Sequence, residues 1–415
     1  MSEPLNQYLS DLVAASEFAD YLDAHHAEIM AVLTEQESHE TALDELERSV
    51  LALRGLHREM HNLREAHVGD VSAFLPINLP LYSLVLFAAV PSLMADRVFV
   101  RTPAVDPEWV RRVFDVSGMK QFFPRVGLFD LQRREFLDHF VSRSEVVLFT
   151  GRYSNAVQVQ RCCRGAKFVF NGAGVNPVVV GPGADVGEAL GRIITTRVFN
   201  SGQDCAGPDA FLVHSSVADE FVESAREELR GIGVGDYSDP SVRVGRILNP
   251  GPIPGLVTRL EELKANTVLE GAIHIEDQIV EPTMIVRPIT EHDRIVEFFA
   301  PVFYVLVYDD DAELARFFDR KEYRQYAMYV SLFGAPLLPE ITAFSNPLVE
   351  LTVLDVEHGN EPYGGWGSKA NFVATGDRLT VGPVLVSSAI AARTDRRGRG
   401  KVMPPVEPRG TRVLR

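Results

Sequence analysis

The chain reads as an α/β protein in which two parallel-sheet blocks follow a helical N-terminal segment. Three observations predict this. From Leu5 to about Ala66 there is no proline and one glycine, Gly55, while apolar residues such as Leu9, Leu12, Val13, Phe18, Tyr21 and Leu22 recur at helical spacing. From Val71 onward short β-branched runs alternate with amphipathic stretches. Strands separated by helices of this length imply parallel sheets with right-handed crossovers.

The N-terminal block, residues 1–70, predicts two or three amphipathic helices that pack against the cofactor-type block after it. In residues 71–172 buried strands are expected at Arg97–Arg101, Glu145–Thr150 and Ala166–Phe170, with a further run at Pro177–Val180. Helices are expected near Glu108–Phe114, Leu131–Phe140 and Asn155–Arg161. This is a Rossmann-type, doubly wound pattern of the kind that often holds a dinucleotide. A second α/β block, residues 173–348, combines helices at Val186–Val198, Ser216–Ile232 and Asp311–Phe318 with strands at Ala210–His214 and Val302–Tyr308. Residues 349–415 hold a last strand, Val349–Asp355, then a late loop and a basic tail from Arg393, which reads as a solvated segment or a subunit or ligand contact.

Composition narrows the function classes. A net charge of −16 argues against a nucleic-acid or acidic-membrane surface. The most apolar stretch, Leu79–Met94, carries Pro80 and Pro91 and is too short to span a bilayer. Three cysteines, two of them adjacent at Cys162 and Cys163, make no disulfide framework, and the first residues carry no signal-peptide pattern. A soluble, cytoplasmic protein is expected. No His, Cys, Asp or Glu spacing suggests a metal site. Neither a glycine-rich dinucleotide loop nor a P-loop is present, so a bound nucleotide would be held another way.

The residues that carry chemistry centre on Cys205, in a polar, glycine-containing turn (Asn200–Cys205, NSGQDC) where an accessible thiolate could sit. A lone cysteine is weak, but its neighbours stand in a familiar order. The run FNSGQDC resembles the nucleophile signature of the aldehyde dehydrogenases. Leu75–Pro80 (LPINLP) is similar to the family's Pro-x-Asn-x-Pro segment, whose asparagine, here Asn78, helps hold the substrate oxyanion. Val98–Arg101 resembles the strand that ends in a basic, adenosine-ribose-contacting residue. Leu148–Gly151 (LFTG) resembles the Phe-Thr-Gly beneath the cofactor pyrophosphate. Glu281–Thr283 leads to Glu297–Val302 (EFFAPV), similar to Glu-x-Phe-Gly-Pro-Val, and Pro362–Gly365 (PYGG) resembles Pro-Phe-Gly-Gly.

The resemblance implies an NAD(P)-dependent oxidoreductase with a Rossmann-type cofactor domain, an α/β catalytic domain, and a covalent thiohemiacetal and thioester on Cys205. It assigns Cys205, Asn78 and Asn171 to catalysis and Arg101, Thr150, Gly151, Arg152, Glu297 and Phe299 to the cofactor. The substrate would be an aldehyde, a semialdehyde or an acyl thioester. A homodimer or homotetramer joined through Val349–Asp355 is expected from the family.

Departures from the pattern sharpen the questions. Asn171–Val175 (NGAGV) stands where the family has Glu-Leu-Gly-Gly-Lys, so Asn171 replaces the general base that activates water. An amide cannot take a proton at neutral pH, so release by water should be slow. Asparagine there is similar to the CoA-acylating semialdehyde dehydrogenases, which makes CoA a candidate co-substrate and the reverse reduction an alternative. A catalytically degenerate binding or scaffold protein is the rival reading. Arg101 and Arg152 replace the usual lysine and serine, and Ala104 stands where an acidic residue commonly reads the ribose. Two guanidinium groups without that carboxylate favour NADP over NAD, with an Arg152 that fills the pyrophosphate site and disfavours cofactor binding as the alternative. His358 reads as a loop histidine, with a replacement base as the alternative. Asp204 would raise the thiol pKa and takes no catalytic role. Cys162 and Cys163 are expected to be packing residues on a helix.

Overall fold

The computed structural model describes residues 3–163, 165–291 and 297–392. The basic tail from Arg393 lies outside the described residues. Side chains are described from Ser10 onward.

Two seven-stranded sheets organise the chain. The first runs in the order Arg378–Val381, Asn371–Thr375, Lys167–Asn171, Val146–Thr150, Val68–Phe74, Ala95–Arg101, Val126–Phe129. The last five are parallel, and Asn371–Thr375 joins antiparallel to Lys167–Asn171. Strand order reverses between Val68–Phe74 and Val146–Thr150, so a crevice opens beyond their carboxyl ends, the usual ligand position in such sheets. Those ends carry Leu75–Asn78 on one side and Thr150–Arg152 on the other.

The second sheet runs Thr267–Leu269, Thr283–Pro288, Val302–Tyr308, Phe211–His214, Val178–Val180, Tyr329–Phe333, Asn346–Val349, and only Thr267–Leu269 is antiparallel. The Val178–Val180 strand therefore belongs here. The helix Val186–Val198 has the expected bounds and a helix stands at Asp311–Phe318 where one was expected nearby, each started by an aspartate (Asp185, Asp310) that caps a backbone N–H.

The expected strand Val349–Asp355 is a correction. Pairing ends at Val349, Glu350 turns to φ 55°, and Val353–Val356 is helical. Thr352 and Asp355 form a reciprocal capping box, in which the Thr352 backbone N–H donates to Asp355 Oδ2 at 2.7 Å. That local start signal outweighs the β-branched composition of the run. After Val349 the chain leaves the second sheet and returns two strands, Asn371–Thr375 and Arg378–Val381, to the first.

The N-terminal block forms the helices Glu3–Ala24, His26–Leu33, His39–Arg54 and Met60–Glu65. Phe18, Leu22 and Leu33 join Trp109, Val110 and Val113 of the helix Pro107–Val116 in one buried cluster. The Trp109 indole N–H donates to the Val32 carbonyl at 2.8 Å, which satisfies the buried polar tip of that ring. Among the described residues no helix is long and apolar enough to cross a membrane. The apolar run after Leu79 is instead a helix start at Pro80–Leu84, a π turn at Val85–Ala89 and a last turn at Val90–Ser92.

Cys162 and Cys163 follow the helix Tyr153–Gln160 rather than lying on it. Cys163 packs against the cluster around Phe149 and Phe168, and burial pushes its thiol up to about 12. Cys162 is exposed, because the turn carries it away from that cluster.

Candidate active site

The turn that carries Cys205 is forced by its own backbone. Asn200, Ser201 and Gly202 take φ values of 47°, 55° and 74°, three left-handed residues in succession. Such a run is costly for side-chain-bearing residues and holds only when the surroundings fix it. Here they do. Asn200 N–H donates to Thr41 Oγ1 (3.0 Å), Ser201 Oγ accepts from Gly245 N–H (2.8 Å), and Leu248 N–H donates to Gln203 Oε1 (2.7 Å). Gly202 meets a second demand: a Cβ there would lie 2.5 Å from the Ala300 carbonyl carbon. The turn before Cys205 is thus pressed directly on the segment that carries Glu297 and Phe299.

Cys205 Sγ lies 3.0 Å from the hydroxyl of Tyr363. Burial pushes the thiol well above its ordinary range; Asp204 adds to this, and the Tyr363 hydroxyl opposes it. Asp204 itself is held by the Ala206 N–H at 3.0 Å, and burial raises its carboxyl. Asn78 donates its amide N–H to the Gln203 carbonyl at 3.1 Å, which ties the Asn78 turn to the turn of Cys205. That nitrogen carries two hydrogens, and this contact uses one.

One cavity of about 330 Å³ joins these groups. Cys205, Asn78 and Asn171 line it, and so do Thr150, Gly151, Arg152, Glu297 and Phe299. Thr150 Oγ1 and Asn171 Oδ1 are buried without a hydrogen-bond partner, which fits a polar ligand seated there. Gly151 takes φ 140° just beyond the carboxyl end of its strand, and Arg152 occupies the N-cap position of the helix Tyr153–Gln160, whose backbone N–H groups favour an anion. The charges of Arg152 and Arg197 act on the Glu297 carboxyl and favour its ionised form. The residues present fit a dinucleotide with its phosphates against Thr150–Arg152.

Arg101 lies apart from the cavity lining, at the carboxyl end of its strand. Its Nε donates to the Leu131 carbonyl (2.9 Å) and one Nη to that of Thr102 (3.0 Å). Burial and the neighbouring Arg133 lower its pKa. His358 lines the cavity with Nδ1 buried and unpartnered, and burial lowers its pKa.

Sequence reasoning missed four residues. Tyr363 was legible only as the Tyr variant of a Pro-Phe-Gly-Gly turn. Arg197 is fully buried and donates Nε to the Val302 carbonyl (3.0 Å) and Nη to that of Ala300, facing Asp209, Glu297 and Asp204. Arg133 stands beside Arg101. Glu357 lines the cavity and pairs with Arg48 of the helix His39–Arg54. Apart from the turn that holds Tyr363, none had a sequence signal of this role, because contacts such as Arg48–Glu357 and Cys205–Tyr363 join residues far apart in the chain.

The model of the aldehyde dehydrogenase family matches residues 7–333. A benzaldehyde dehydrogenase of Bacillus subtilis is 25% identical over 61% of this chain and 54% of its own length. An NADP(+) succinate-semialdehyde dehydrogenase of Mycobacterium avium is 33% identical over 44% of this chain and 40% of its own. The chain therefore spans about half the length of the curated relatives it matches. Among solved structures, a glyceraldehyde-3-phosphate dehydrogenase of Methanocaldococcus jannaschii complexed with NADP superposes with a TM-score of 0.78, at 17% identity, covering 92% of this chain and 87% of that one. A succinic semialdehyde dehydrogenase of Streptococcus pyogenes in complex with NADP+ gives 0.78 at 14% identity, covering 91% and 90%. These likenesses show the fold, and the family match covers most of the chain. The chain belongs to the aldehyde dehydrogenase family.

Proposed function

We propose that the protein is an NADP-dependent oxidoreductase that oxidises an uncharged, apolar aldehyde through a covalent adduct on Cys205. The observation that carries this is the single cavity shared by Cys205, Asn78 and the Thr150–Arg152, Glu297 and Phe299 group. In this reading Cys205 attacks the carbonyl carbon, and the Asn78 amide with the Cys205 backbone N–H receives the oxyanion. Bound NADP supplies the acceptor that takes the hydride and leaves a thioester on Cys205. Glu297 and Phe299 orient the cofactor, and the N-terminus of Tyr153–Gln160 with Arg152 receives its phosphates. Arg101 and Arg133, side by side at the neighbouring strand end, suit a 2′-phosphate, and the NADP(+) in the names of several relatives supports that choice.

The substrate side of the cavity is apolar, with Ile77, Leu86, Phe87, Ile253, Leu256 and Val386 along its walls. Among the described lining residues Arg152 is the only lysine or arginine, and it stands on the cofactor side. A carboxylate-tailed semialdehyde would meet Glu357, Glu361 and apolar wall without a cation to pair with, at a desolvation cost. Aromatic or aliphatic aldehydes fit better, as for the benzaldehyde relative.

Asn171 favours a second reading, in which a thiol such as CoA takes the acyl group. Following reduced-nicotinamide absorbance with NADP or NAD, and with octanal, benzaldehyde or succinate semialdehyde, with and without CoA, separates the readings. NADP-linked turnover of octanal or benzaldehyde, abolished by Cys205→Ala, is expected. A strict need for CoA would select the acylating reading. Neither turnover nor calorimetric NADP binding would leave a binding or scaffold role. For assembly, the strand Asn346–Val349 is the proposed site of subunit pairing, since it is the outermost strand of the second sheet among the described residues.

A further inference from the structure

Asn171 stands where the family's water-activating carboxylate would be, so a chain that releases its acyl group to water needs another base. Among the described residues five carboxyl groups line the cavity. Glu59 accepts the Asn360 amide N–H at 2.6 Å and is not among the main charges that bear on Cys205. Asp204 accepts the Ala206 N–H from the turn itself, and Glu297 lies on the cofactor side beside Arg152. Glu361 and Arg58 both act on His358, and neither His358 nor Glu361 is among the main charges that bear on Cys205. Glu357 remains.

Its geometry is that of a held but accessible group. The Glu357 side chain retains 17% exposure and lines the same cavity as Cys205 and Asn171. Arg48 Nη1 lies 3.6 Å from Glu357 Oε2 and donates to the Glu357 backbone carbonyl at 3.1 Å. A second Arg48 nitrogen donates to the Leu354 carbonyl (3.1 Å), and its Nε to Asp44 (2.6 Å). The guanidinium is therefore fixed before any substrate arrives, and it fixes the carboxylate in turn. The long Arg48–Glu357 separation leaves the carboxylate room to accept a water proton, which a bidentate pair would not.

Resting on the Cys205 thioester reading above, we propose that Glu357 is the general base that releases the acyl group from Cys205 to water. Water oxygen attacks the acyl carbon while Glu357 takes one of its protons. The carbon–sulfur bond then breaks, the electron pair returns to Cys205 as thiolate, the product leaves as a carboxylic acid, and Glu357 passes its proton to solvent. Arg48 is a positioning residue in this step. The groups that face Glu357 are Arg48 and Asp44 from the helix His39–Arg54, Asp204 and Cys205 from the nucleophile turn, and Tyr82, Tyr329 and Tyr363. Burial raises its carboxyl to about 7 against the pull of Arg48, near the best value for a base at neutral pH.

The test uses p-nitrophenyl acetate, which acylates a thiolate without any cofactor and reports the first turnover as a burst of p-nitrophenolate. In the wild type a burst followed by a slower steady state is expected, the steady state rising with pH through a midpoint near 7. Glu357→Gln should keep the burst amplitude, lower the steady-state rate roughly 100-fold or more and abolish that midpoint. Acetyl-Cys205 should then accumulate by mass spectrometry. Arg48→Met should move the midpoint to higher pH. An unchanged steady-state rate and midpoint in Glu357→Gln would overturn the assignment to Glu357 while leaving the Cys205 reading intact. A wild type without a burst, or a burst that survives Cys205→Ala, would overturn both.

Discussion

The hydroxyl of Tyr363 sits 3.0 Å from the sulfur of Cys205, although the two residues are 158 positions apart. Burial raises the Tyr363 phenol well above its ordinary range, so it keeps its proton and donates to sulfur when the thiolate forms. A hydrogen bond to a charged acceptor contributes about 1.5–3 kcal/mol. Tyr363→Phe removes only the hydroxyl. Its Cys205 should titrate at higher pH when followed by iodoacetamide alkylation, with reactivity at neutral pH falling roughly tenfold or more. An unchanged alkylation profile would show that the contact does not act on the thiolate.

Gly202 combines a left-handed backbone with a close approach to Ala300. Gly202→Ala should destabilise the fold by about 1–3 kcal/mol, because φ 74° and the added Cβ are both unfavourable. Urea denaturation measures the loss. Cys205 alkylation should change with it, since the turn that presents the thiol is the part displaced. Wild-type stability in the variant would mean that the turn tolerates a side chain.

Glu37 and Glu45 form a buried carboxyl pair beneath the Asn78 turn, where they accept the Leu79 N–H (3.1 Å) and the Tyr82 N–H (2.9 Å). Burial raises Glu37 to about 7 and, with the charge of Glu37 added, Glu45 well above the ordinary carboxyl value. A carboxyl raised in the folded state holds protons that the unfolded chain has lost. Its contribution to stability is complete below the unfolded value of 4.5 and is lost as pH rises through about 7. Urea midpoints should therefore fall between pH 5 and pH 8, and the fall should be shallower in Glu45→Gln, which retains a hydrogen-bond donor without a titrating proton. Parallel pH profiles for the two proteins would contradict this.

Arg133 is the less constrained member of the pair beside Arg101, since its contacts to Asn155 and Gln158 are long, at 3.4 and 3.5 Å. If this pair receives a 2′-phosphate, Arg133→Gln should weaken NADP binding roughly tenfold and leave NAD binding nearly unchanged. Titration calorimetry with both cofactors reads the difference. Equal weakening of NAD and NADP would place Arg133 outside the 2′-phosphate site.

How much of this was written locally in the chain can be judged from particular elements. The helices Val186–Val198 and Asp311–Phe318 and the strand Val302–Tyr308 stand where periodicity and capping place them, because those signals act within a few residues. The short strands Val126–Phe129 and Asn371–Thr375 carried no comparable signal, since each is defined by the neighbour it pairs with. At Val349–Asp355 two local signals competed, and the capping box prevailed over β-branched composition.

The sequence by itself determined the family and singled out Cys205 and Asn171 as the residues to question, because motif order and residue chemistry survive without coordinates. Only the tertiary structure decided what surrounds the thiol. Thr41 and Arg48 reach the site from the N-terminal helices, Arg197 from the middle of the chain, and Glu357 and Tyr363 from its late loop. The physical reason is that side-chain hydrogen bonds and Coulomb forces act over a few ångströms, so a partner more than a hundred residues away matters only once the backbone has brought it there.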